Sequence, residues 1–210
     1  MDYRFIKGTR PRLLVFFHGT GGDKESMLFL CQQLDPEAFI LSLDGSWGQG
    51  RKRRFFAPLI DGRLDLVDVE MRLSAFLDFW QDSDIQPYHQ VTFVGFSNGA
   101  NFIMGLLTKQ SNLADNYILL HPSALDYAFP MENSRAEILF TLGQNDQLVD
   151  QVALENLVDD WQASAFPKAN LARFEKGHFL SQDELTYVRN WYQEKKTKRP
   201  EQVVQAFKGY

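Results

Sequence analysis

Apolar residues along the chain alternate between two patterns. Short, nearly unbroken apolar and β-branched runs occur at Leu13 to Phe17, Phe39 to Leu43, Val91 to Phe96, Tyr117 to Leu120, Ile138 to Leu142 and about Leu171 to Glu175. Runs of this length predict strands, and the unbroken ones predict strands covered on both faces. Between them, Met27, Leu28, Leu30, Cys31 and Leu34 recur at helical spacing, as do Leu66, Val69, Leu73, Phe76, Leu77 and Trp80. Further helices are predicted over Asn101 to Lys109, Val152 to Trp161 and Asp183 to Glu194. Tyr3 to Lys7 reads as an edge strand, Gly8-Thr9-Arg10-Pro11 as the turn after it, and Pro87 as the break before the strand at Val91. Alternating strands and helices predict a three-layer α/β/α domain with a mostly parallel, doubly wound sheet and functional loops at the strand C-terminal ends. No repeat or linker divides the chain, so residues 1–210 read as one domain with a polar tail over about 195–210, where Val203, Val204 and Phe207 are a candidate docking face.

The strand Val91 to Phe96 runs directly into Gly95-Phe96-Ser97-Asn98-Gly99 and then into a helical pattern. Gly-x-Ser-x-Gly between strand and helix predicts a tight turn that lifts the Ser97 hydroxyl above the sheet, with Gly95 and Gly99 giving strand and helix room to pass. The Asn98 N–H then lies in the first helical turn, where free donors and the helix dipole favour a developing anion.

Composition narrows the chemistry. Hydrophobic residues are 44% of the chain and the formal net charge is -5, which describes a globular core and supplies no basic face for nucleic acid. The apolar runs are too short to span a membrane and the N-terminus has no signal-peptide pattern, so a cytoplasmic protein is expected. Cys31 is the single cysteine, which excludes an internal disulfide and agrees with a reducing compartment; its helical neighbours predict buried packing. No His/Cys/Asp/Glu cluster has metal-ligand spacing, so a metal is not implied. Nothing in the sequence bears on assembly, and a homodimer stays open.

Hydroxyl nucleophile chemistry needs an imidazole to take the proton and a carboxylate to orient that imidazole. The chain offers Ser97, Asp146 and His178 in that order, each after a predicted strand on one sheet edge. Asp150 is a rival to Asp146. Of the other histidines, His18 belongs to a glycine-rich loop, His89 precedes a strand, and His121 stands on the wrong strand for this chain order. The loop His18-Gly19-Thr20-Gly21-Gly22-Asp23 follows a strand and can bring the Thr20 N–H to an oxyanion as the second donor beside Asn98. Read alone, that loop could cradle phosphate, but it lacks the Lys-Ser/Thr ending of a P-loop and the spacing of a dinucleotide site.

Taken together, His18 to Asp23, Gly95 to Asn101, Gly143-Gln144-Asn145-Asp146 and Gly177-His178 resemble the phospholipase/carboxylesterase family of α/β-hydrolases, over about Leu13 to Trp191. The resemblance implies the α/β-hydrolase fold without a large cap domain, Ser97 as nucleophile with Asp146 and His178, and Thr20 and Asn98 as backbone donors. It also implies hydrolysis of small-molecule carboxylic esters, or thioesters in some relatives, without a cofactor. The chain departs from the pattern at Gln147, where relatives often carry proline, and over the tail. The alternatives are a thioesterase or lysophospholipase activity, an acyltransferase, and a non-catalytic binding protein on the same fold.

The long segment from Asp44 to Gly62 is expected beside Ser97, so Trp47, Phe55 and Phe56 are candidate pocket residues, with core packing the alternative for the two phenylalanines. Arg51-Lys52-Arg53-Arg54 is either a solvated charge run or an attractor for an anionic substrate. A histidine base must be neutral to act, so activity should rise with pH through histidine's ordinary range, about 6.5.

Overall fold

In the computed structural model, which describes residues 1–82, 88–127 and 133–197, seven strands join into one sheet. They are β1 (Tyr3–Ile6), β2 (Arg12–Phe17), β3 (Phe39–Leu43), β4 (Gln90–Phe96), β5 (Asn116–Leu120), β6 (Glu137–Gly143) and β7 (Ala169–Phe174). Their order across the sheet is β1-β3-β2-β4-β5-β6-β7. Only β1 runs antiparallel, pairing Tyr3 with Leu43 on β3; every other neighbouring pair is parallel. Pro87 and the tail residues Val203, Val204 and Phe207 lie outside the described residues.

The unbroken apolar runs are explained by which side of the sheet each residue meets. Along β2, Leu13, Val15 and Phe17 enter one core, whereas Leu14 and Phe16 enter the other. The first core is closed by α2 (Leu66–Asp82) through Val69, Leu73, Phe76 and Trp80, by α3 (Asn98–Lys109), and by α4 (Gln151–Ala163) through Leu154, Val158 and Trp161. The second is closed by α1 (Leu28–Leu34), where Cys31 packs beside Leu30 and Leu34, and by α5 (Gln182–Thr197), which supplies Val188, Trp191 and Tyr192. Burial pushes the Cys31 thiol up to about 12, so it stays protonated and packs as a small hydrophobe. From Asn98 to Leu107, α3 is buried without interruption, the signature of a helix enclosed on all sides.

Sheet order places the chemistry. The chain builds β2, adds β3 on one side of it, then crosses to add β4 on the other. The crevice beyond the carboxyl ends of β2 and β4 is therefore a topological switch point, where open α/β sheets take ligands. The loop beginning at His18 leaves β2 there, and Ser97 leaves β4 beside it.

Candidate active site

Ser97 has φ 51 and ψ -115 and is the N-cap of α3, so it occupies the sharp turn that the glycine spacing predicts. An added Cβ at Gly95 would sit 2.6 Å from the Ala100 backbone nitrogen, and one at Gly99 would sit 2.0 Å from the Phe17 carbonyl oxygen. Both positions exclude any side chain because strand and helix backbones touch there. The Ser97 N–H donates to the Leu120 carbonyl at the end of β5 over 2.8 Å, and its carbonyl accepts from the Asn101 N–H over 2.9 Å. These bonds hold a conformation that a residue with a side chain rarely adopts.

Three side chains that span residues 97 to 178 of the sequence meet at this point. His178 Nε2 lies 2.8 Å from Ser97 Oγ, and His178 Nδ1 lies 2.6 Å from Asp146 Oδ2. The loops after β6 and β7 are pressed together to achieve this. Gln144 donates its N–H to the Phe174 carbonyl, Asn145 donates to that of Lys176, and a Cβ on Gly143 would come within 2.4 Å of the Lys176 oxygen. Asp146 is buried, and its Oδ1 accepts from the Leu148 N–H at 2.9 Å. Burial pushes its carboxyl up, but the bonds from His178, His121 and Leu148 outweigh that and hold it below the ordinary carboxylate range. Asp150, the rival, is occupied elsewhere, because its Oδ1 accepts from the Ala153 N–H as the N-cap of α4.

The two backbone donors expected from the sequence lie on the first turn of α3 and on the loop after β2. Asn98 is the first residue of α3, so its N–H has no helical acceptor. Its side-chain Oδ1 accepts from the Phe55 N–H at 2.7 Å, a role for Asn98 beyond its backbone that the sequence does not signal. Thr20 is oriented by His18. The Gly45 N–H donates to His18 Nε2 at 2.9 Å, so the ring proton must sit on Nδ1, which donates to the Gly19 carbonyl at 2.6 Å. Gly19 C=O and Thr20 N–H belong to one trans peptide unit, so fixing the carbonyl toward His18 turns the N–H the opposite way. Burial pushes the His18 pKa down and keeps the ring neutral, as this tautomer requires.

Two further groups join the site. His121, directly after β5, faces Asp146 Oδ2 through Nδ1 at 3.1 Å and Glu184 Oε2 through Nε2 at 3.1 Å. Chain order argues against His121 and gives no sign of Glu184, although the spacing of Glu184 with Val188 and Trp191 puts a carboxylate on the buried face of α5. Ligand atoms of His121, Asp146 and His178 lie within 4.8 Å of one another, close enough for a metal. The separations of 2.6 and 3.1 Å between ring nitrogens and carboxylate oxygens are those of direct hydrogen bonds, and this set is suited to sharing protons.

A cavity of about 370 Å³ opens beside His178, its wall shared by Thr20, Met27, Phe29, Phe96, Phe179 and Leu180. Trp47, Phe55 and Phe56 are not part of that wall. Phe55 and Phe56 are only 1% exposed. The Phe55 ring packs on Phe17 and Phe102 while Asn98 holds its backbone, which draws the segment into the core. Trp47 pairs through its backbone with Arg54. The cavity wall comes instead from the α1 region and the loop after β7. The basic run divides: Arg51 and Lys52 are exposed, Arg53 pairs with Asp44 at 3.0 Å, and Arg54 lies over the Phe56 ring. The Arg53 carbonyl accepts from the Gly21 N–H at 2.8 Å, so this run braces the glycine loop.

No family model matches the chain. It is 30% identical over 198 residues to "Putative hydrolase MhqD" of Bacillus subtilis (strain 168), covering 92% of this chain and 98% of that one. Among solved structures it superposes on a Bacillus cereus carboxylesterase with a TM-score of 0.85 and 26% identity, over 92% of this chain and 94% of the other. A Mesorhizobium loti carboxylesterase gives a TM-score of 0.81 at 21% identity, over 90% and 92% of the two chains.

Proposed function

The chain belongs to the phospholipase/carboxylesterase type of α/β-hydrolases and is a carboxylic ester hydrolase, and from that premise we propose that it cleaves esters of small or medium acyl or aryl substrates through an acyl-enzyme on Ser97. The observation that carries this reading is the unbroken line from Ser97 Oγ through both ring nitrogens of His178 to Asp146, at 2.8 and 2.6 Å. Ser97 Oγ attacks the ester carbonyl carbon while His178 Nε2 takes its proton, and Asp146 stabilises the imidazolium that forms. The carbonyl oxygen becomes an oxyanion held by the Thr20 and Asn98 N–H groups, each such donor contributing about 2.7–4 kcal/mol to the transition state. Collapse expels the alcohol, which takes the proton from His178. Water then repeats the sequence and frees the acid and Ser97.

The apolar cavity wall supports a compact, weakly polar acyl or aryl group, since about 370 Å³ lies at the lower end of the range for small-molecule sites. A fluorophosphonate probe should label the protein, and Ser97→Ala should abolish labelling while lowering hydrolysis of p-nitrophenyl acetate by about a millionfold. Labelling that persists in Ser97→Ala would overturn the assignment. A panel of oxygen esters and thioesters of increasing acyl length, with Ser97→Ala as the blank, reads the substrate preference directly.

A further inference from the structure

Building on the reading of Ser97 as nucleophile, we infer that His121 and Glu184 are positioning residues for the reaction: a buried imidazolium bridge that fixes Asp146 from behind and balances the charge it presents to His178. Asp146 Oδ2 receives two imidazoles, His178 Nδ1 at 2.6 Å and His121 Nδ1 at 3.1 Å, and the far nitrogen of His121 meets Glu184 Oε2 at 3.1 Å. The side chains of His121, Asp146 and Glu184 are 0% exposed. A neutral imidazole has one donor and one acceptor nitrogen, so one of the two carboxylates would face a lone pair. With both carboxylates ionised, only the doubly protonated ring satisfies both. Burial pushes the His121 pKa down, but its bonds to Glu184 and Asp146 outweigh that and raise it.

Three other features point the same way. His121 has φ 49, in the left-handed region that few residues other than glycine adopt. Its N–H is tied to the Thr141 carbonyl at 3.1 Å, which keeps the ring aimed between the two acids. Glu184 buries a carboxylate on the apolar face of α5 with Oε1 lacking any hydrogen-bond partner, a costly arrangement that a leucine would avoid. The groups packed around the ring are Phe96 from β4, Thr141 from β6, Asp146 and His178 from the loops after β6 and β7, and Glu184 from α5. Two carboxylates and one imidazolium leave a single net negative charge at rest. When His178 takes the Ser97 proton, the four groups sum to zero at the moment the oxyanion forms beside them. Without the bridge, Asp146 would turn its full charge on His178 and hold the proton more tightly.

The test is the pH profile of kcat/KM for p-nitrophenyl acetate in the wild type, His121→Gln and Glu184→Gln, with folding checked by circular dichroism. In His121→Gln the acid limb should move to higher pH by about half to one unit, while kcat falls roughly 10- to 100-fold and KM changes little. Glu184→Gln takes away the second carboxylate that holds the His121 proton, leaves that ring neutral beside Asp146, and should move the limb in the same direction by less. Independently of activity, nitrogen NMR of the full-length wild type should show both ring nitrogens of His121 protonated at neutral pH, assigned by their loss in His121→Gln or by their response to Glu184→Gln. An unmoved acid limb in a folded variant, or a single ring proton on wild-type His121, overturns the bridge. Failure of the serine-hydrolase reading appears separately, as absent fluorophosphonate labelling, and the NMR result then decides the bridge alone.

Discussion

At Ser97 the backbone is held at φ 51 and ψ -115, a conformation that costs a residue bearing a side chain about 1–3 kcal/mol. Glycine enters that region without strain, at the expense of greater freedom in the unfolded chain. Ser97→Gly should therefore be more stable than Ser97→Ala by about 1 kcal/mol, measured by urea denaturation; equal stabilities would show that the turn stores no strain. The nucleophile was legible because its turn demands glycines at fixed offsets, and a steric demand writes itself into sequence. His121 was not legible by the same logic. The order of nucleophile, acid and base along the chain says nothing about groups standing behind the acid. Phe55 and Phe56 misled for a different reason, since aromatic residues in a long loop serve a pocket wall or a core equally well until the loop's path is known.

Among the elements, β2, α1 and α5 are tied at the edge away from the candidate site by one buried carboxylate. Asp35, at the C-cap of α1, takes Arg12 Nε of β2 at 2.6 Å, the Tyr192 hydroxyl of α5 at 3.1 Å and Lys196 Nζ at 3.2 Å. Removing it leaves a largely buried guanidinium without its main partner, so Asp35→Ala should lose about 3–5 kcal/mol in urea denaturation. Burial pushes the Asp35 carboxyl up, but Arg12 and Lys196 outweigh that and hold it below the ordinary range. The unfolded chain therefore binds the proton first as pH falls. The stabilisation is complete above about 3.9 and disappears as pH drops through the folded value, so acid destabilisation should be shallower in Asp35→Asn. The predicted strands and helices lie where the apolar patterns put them, with ends that differ by up to about three residues, as cap and fraying positions do. The short helical turn at Gly50–Lys52 and the bridge between Trp47 and Arg54 carry no such pattern, because they rest on backbone hydrogen bonds within one loop rather than on apolar periodicity.

Over the whole molecule, the strand order brings the loops after β2 and β4 into one crevice; that functional loops gather at the strand carboxyl ends followed from the alternation of strands and helices. The identity of the cavity wall did not, because Met27, Phe29 and Leu180 become neighbours only when α1 and the loop after β7 meet in space. Within this frame, two consecutive residues at the end of β5 serve opposite ends of the proposed machinery. The Leu120 carbonyl fastens the Ser97 N–H, and the next residue's ring grips the carboxylate of Asp146. A slip or fraying of this central strand would thus disarm attacking group and acid together. Heating should show no intermediate that keeps its ellipticity but has stopped turning over, and the two melting curves, one followed by residual hydrolysis and one by far-ultraviolet signal, should overlay.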